Sequence, residues 1–109
     1  MFPFARNVPI KNRIRLPFTL VNLRRAPADR GVYALWEDDK LIYYGLALGG
    51  DVTIRSSLKD HRLVLFGSCT ARATHFSWEI CRNPIRREAE LLKECIRSRK
   101  ALPRCNKRA

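Results

Sequence analysis

The sequence predicts a small α/β domain: a three-stranded antiparallel sheet flanked by helices, in the order β-β-α-β-α after a basic lead-in. Two observations carry this. The β-rich run Val32-Tyr33-Ala34-Leu35-Trp36 is followed, across the polar stretch Glu37-Asp38-Asp39-Lys40, by Leu41-Ile42-Tyr43-Tyr44-Gly45, which is the pattern of a hairpin. Further on, an alternating run over 74–81 reads as a third strand and Asn83-Pro84 opens a helix that reaches about Lys100. With 109 residues, 46% of them apolar, the chain suffices for one modest core and is too apolar to be disordered.

Taken in order, residues 1–28 form a basic N-terminal extension and 29–109 the domain proper. The stretch from Arg13 to Leu23 is a candidate extra strand, and Ala26 to Gly31 a loop. After the hairpin, Gly49-Gly50-Asp51 leads into a helix from Val52 to about Leu63, with Asp51 as its N-cap. Phe66 to Thr70 reads as a loop. Asn83 is the N-cap of the last helix, Pro84 fits its first position, and Pro103 breaks the chain before a basic tail.

Lys and Arg number 22 against 10 Asp and Glu, a formal net charge of +12. The excess is heaviest at the ends: 1–28 hold six basic side chains and no acid, and 82–109 hold ten against Glu88, Glu90 and Glu94. Such a surface favours polyanions, because neutralised phosphates release counterions, so nucleic acid is the expected partner. No apolar run is long enough to span a bilayer, and the N-terminus has no signal-peptide core, so no membrane partner is expected. Cys69, Cys81, Cys95 and Cys105 form no C-x-x-C pair, which argues against zinc. A cytoplasmic protein with reduced thiols is the simplest expectation.

At about 100° per residue, Ile85, Ala89, Leu92, Cys95 and Ile96 share one face of the last helix. Glu88 falls inside that stripe, whereas Glu90 and Glu94 fall outside it. An inward carboxylate is costly unless compensated, either by a metal with convergent donors or by a buried ion pair with an arginine. The pattern leaves both open. All three tyrosines, Tyr33, Tyr43 and Tyr44, lie in the hairpin, and register decides which of them meet. A two-residue turn at Asp38-Asp39 pairs Tyr33 with Tyr44, and an odd-length loop brings Tyr33 to Tyr43. His75, the Cys69-Thr70 loop, Trp36 and Trp78 read as structural.

Gly31-Val32-Tyr33 and, ten residues on, Tyr43-Tyr44-Gly45 resemble the two half-motifs of the GIY-YIG nucleases. Downstream, Ile54 to His61 resembles the family's helix with an Arg and a His one turn apart. Arg87-Glu88-Ala89-Glu90-Leu91-Leu92 resembles its E-x-x-L-[LI] helix, and Pro103 to Asn106 its closing P-x-x-N. The resemblance spans 31–106 in the family's order. It implies an endonuclease that hydrolyses phosphodiester bonds, DNA ahead of RNA, with one divalent metal ion, Mg2+ or Mn2+, held by Glu88. It further implies Tyr43 as general base, Tyr33 completing the hydrogen-bonded set, an arginine binding the phosphate, for which Arg55 is the candidate on this helix, His61 assisting and Asn106 bracing the site.

One position departs from that pattern. With His61 matched to the family's His, the family's Arg falls on Ser57, and Arg55 lies about 160° away around the helix. The alternative is therefore a catalytically weak or inactive nucleic-acid-binding module on the same fold.

Overall fold

The computed structural model describes Ile10 and residues 14–106; the rest of the basic lead-in and the last three residues of the basic tail lie outside the described residues. The hairpin forms where the β-rich runs predict it, as β2 (Gly31–Glu37) and β3 (Lys40–Ala47). Asp38 and Asp39 make a two-residue connection, with Asp38 in the left-handed region at φ 54°. The ladder then skips a residue: Trp36 faces Leu41, but Leu35 faces Tyr43, which leaves Ile42 as the extra residue of a bulge. A one-residue slip exchanges faces. The two-residue turn therefore does not pair Tyr33 with Tyr44. It puts Tyr33 and Tyr43 on one face and sends Tyr44 to the other. Tyr33 lies directly opposite Gly45, where a Cβ would stand 2.3 Å from the tyrosine ring. The glycine leaves the room that the ring occupies.

Among the described residues the sheet has four strands, not three, all antiparallel, in the order Leu16–Pro17 (β1), His75–Ile80 (β4), β2, β3. β4 flanks β2, and β1, only two residues long, adds to its far side. The expected strand of the lead-in is cut short by Pro17, which lacks a donor for the ladder. Thr19 then caps the short helix α1 (Leu20–Leu23). Phe18, Leu23 and Ala26 are buried against the face that carries Tyr33, Leu35 and Phe76.

On that same face lies α2 (Ile54–Arg62), with Ile54, Ser57, Leu58 and His61 buried. Its N-cap is Thr53 in a capping box with Ser56, two residues later than the expected Asp51. The expected loop at 66–70 holds a short helical turn, α3 (Ser68–Ala71). The other face, with Val32, Ala34 and Tyr44, is covered by α4 (Pro84–Arg99). As the sequence predicts, Asn83 caps α4 and the helix ends at Lys100; the structure adds that Lys100 is left-handed.

The stripe expected on α4 is corrected. Pro84, Leu91 and Cys95 are buried, whereas Ile85 and Ile96 are 62% and 48% exposed. Arg87 is the physical reason. Its guanidinium bonds Glu79 of β4 at 2.8 and 3.1 Å beneath the helix, so a charged residue takes the inward position. A buried arginine–glutamate pair thus lies under the helix, between Arg87 and Glu79. Glu88 sits about 40° from the centre of the buried face, at about 100° per residue, and is half-buried.

The reduced-thiol expectation is also corrected. Cys69 and Cys105 form a disulfide, while Cys81 and Cys95 are free. A gap of 36 residues gives no local sign of pairing; only the fold brings these ends together. No helix among the described residues is long and apolar enough to cross a membrane.

Candidate functional site

β3 is an edge strand, and the segment after α4 returns along it. Asn106 closes a two-way bridge to that edge: its Oδ1 accepts from the Tyr44 amide and its Nδ2 donates to the Tyr44 carbonyl, both at 2.9 Å. This side chain imitates a neighbouring strand at one position. Beside it opens a cleft of about 360 Å³, lined by Tyr43 of β3, His61 of α2, Thr70 and Cys69 of α3, Glu88 of α4, and Asn106. Phe66, Leu92, Leu102 and Cys105 complete its wall.

His61 is the most enclosed polar group of the cleft, at 2% exposure. Its Nε2 lies 2.8 Å from the Tyr33 hydroxyl and its Nδ1 2.7 Å from the Thr70 hydroxyl, so both ring nitrogens are engaged. The rings of Phe66 and Tyr43 pack on it at 4.6 and 4.9 Å between centroids. Burial pushes the imidazole down to about 4, so the ring is uncharged at neutral pH. Tyr33 is shifted the other way. Burial first, then the charges of Tyr43 and Glu88 and a hydrogen bond with Tyr43, raise its phenol well above the ordinary range. Tyr33 therefore keeps its proton and acts as a donor.

Of the six residues singled out in the sequence, the cleft is lined by Tyr43, His61, Glu88 and Asn106, and Tyr33 stands directly behind it. Arg55 does not join them. It is exposed, and its Nε donates to the Ala26 carbonyl at 2.8 Å on the far flank of α2. Ser57 is buried at 4% exposure. Among the described residues that line the cleft, none is Arg or Lys. Thr70 and the Cys69–Cys105 bond are the members that the sequence did not reveal. Thr70 follows His61 by nine residues in a segment without periodicity, and only the turn of α3 aims its hydroxyl at the ring.

Glu88 is the carboxylate of the cleft, and no cluster of three or more His, Cys, Asp or Glu residues that could hold a metal occurs among the described residues. No protein-family model matches the chain, and no curated protein matches it at a significant level.

Proposed function

We propose that this chain is a metal-dependent endonuclease of the GIY-YIG type, acting on nucleic acid, with the cleft beside β3 as its reaction site. One observation carries the reading. Tyr43, His61, Glu88 and Asn106 come from four separate segments, were singled out in the order of one motif set, and line one cleft. The net charge of +12 suits a phosphate-rich substrate, and DNA is the first candidate.

The donor set fits a magnesium or manganese ion. Such ions are commonly held by one or two carboxylates, with water and substrate phosphate filling the shell, so Glu88 alone is a sufficient protein anchor. When bound, the ion would offset charge on the scissile phosphate and acidify water. The remaining work belongs to side chains. A free phenol, with a pKa of about 10, is a poor base at neutral pH. With the His61 proton on Nε2, Thr70 donates to Nδ1, His61 donates to the Tyr33 oxygen, and Tyr33 donates to Tyr43. Each donor then points towards Tyr43, and that row supports Tyr43 as the group that takes a proton from the attacking water. Asn106 fixes the strand that carries Tyr43 through its two bonds to Tyr44.

The place of Arg55, turned to the Ala26 carbonyl on the far flank of α2, favours a second reading: a weak or inactive nucleic-acid-binding module. Losing one preorganised donor to developing charge costs about 10²–10³ in rate. Supercoiled plasmid, single-stranded DNA and RNA incubated with the protein, with Mg2+ or Mn2+ or with a chelator, separate the two. Metal-dependent nicking supports the nuclease. Binding with no cleavage of any substrate by either metal supports the binding module and overturns the nuclease.

A further inference from the structure

The Cys69–Cys105 bond ties together two segments that each end in a contact to the cleft. Cys69 precedes Thr70, whose hydroxyl is 2.7 Å from His61 Nδ1. Cys105 precedes Asn106, whose side chain holds the Tyr44 backbone at 2.9 Å on both sides. Arg104 of the closing turn also pairs with Glu37, but that ion pair is partly exposed and so contributes little. Both half-cystines are half-buried and line the cleft, within reach of small thiols.

We propose that the Cys69–Cys105 disulfide is a positioning cross-link for this cleft, and that its reduction by a dithiol disengages Asn106 from β3 and loosens Thr70 against His61. The chemistry is thiol–disulfide exchange. A thiolate of the dithiol attacks one sulfur, the Cys69–Cys105 bond breaks, and a mixed disulfide forms. The second thiol of the dithiol then displaces the bound cysteine. Two electrons pass to the protein, both cysteines leave as thiolates and take up protons, and the dithiol becomes a cyclic disulfide. Cys81 and Cys95 lie outside the cleft lining and take no part.

The inference rests on the proposed function only for its effect on cleavage, so the primary readout is independent of activity. Protein purified without reductant is compared before and after dithiothreitol, with alkylation and mass spectrometry to count thiols. Amide hydrogen exchange then follows Tyr44 against the amides of the central strand β2. The expected result is two alkylated cysteines before reduction and four after. Tyr44 protection should fall at least tenfold further than that of β2, the His61 ring resonances should shift, and reoxidation should reverse both. Four free thiols before reduction overturn the proposal. So does unchanged Tyr44 exchange, or a fall throughout β2 as large as that at Tyr44, which would make the bond a fastener of the whole domain and nothing more. The Cys69→Ala/Cys105→Ala variant should match the reduced protein. If the protein nicks DNA, reduction should slow nicking at least tenfold. If it does not, the exchange result stands by itself.

Discussion

At the scale of single residues, His61 is held uncharged by its surroundings. Its two nitrogens are satisfied and its pKa lies near 4, below the ordinary 6.5. The sign follows directly. Above about pH 6.5 neither the folded nor the unfolded chain protonates this ring, and its contribution is fully present. As pH falls towards 4 the unfolded chain binds a proton that the folded chain refuses, and about 3 kcal/mol of stability is lost. Thermal melts of wild type and His61→Gln at pH 7 and 4.5 should show the steeper loss in wild type; parallel losses would contradict the burial argument. Tyr33 is the second residue-scale test. Tyr33→Phe removes the donor to Tyr43 and a partner of His61. It should cost about 1–2 kcal/mol in denaturant titrations and about 10² in nicking rate. A stability loss with no change in rate would detach Tyr33 from the proton row.

At the scale of elements, α4 shows where sequence reasoning succeeds and where it stops. Its ends follow from local chemistry, an Asn cap and a Pro at the first turn, and both were legible. Its buried face was not, because hydropathy assigns Arg87 to solvent while Glu79, eight residues earlier on another element, draws it beneath the helix. The hairpin repeats the lesson: its strands and turn were legible, but the Ile42 bulge that sets the faces of the tyrosines leaves no mark in an alternating pattern. Glu88 remained inward because a wheel centred on the wrong apolar stripe still overlapped the true one. Arg87→Met should remove the guanidinium that Glu79 faces and cost about 3–5 kcal/mol by chemical denaturation, and Arg87→Met with Glu79→Leu should recover most of it. If the single variant loses less than about 1 kcal/mol, the pair does not orient α4. The disulfide acts between elements, and closing a loop of 36 residues is worth about 3–4 kcal/mol in the chain-entropy view.

At the scale of the whole molecule, the sheet and its helices frame the cleft at one edge. Two helical layers cover the two faces of the sheet, and the cleft opens at the β3 edge, where α2, α3, α4 and the closing turn all reach. The charge of +12 belongs to this scale. Anisotropy titrations with a labelled DNA duplex should show affinity falling about 10³-fold between 50 and 200 mM salt for roughly six phosphate contacts. A salt-insensitive affinity would argue against a nucleic-acid partner. The role proposed for the Glu88 cleft is the cutting of phosphodiesters. Its most direct measurement is plasmid nicking in Mg2+ and in Mn2+ by wild type, Glu88→Ala and Glu94→Ala, the last a carboxylate of the same helix paired with Arg97 and outside the cleft. Wild type and Glu94→Ala should nick when either metal is present, and Glu88→Ala should not. Equal rates for wild type and Glu88→Ala, or no nicking by wild type in either metal, would contradict that role.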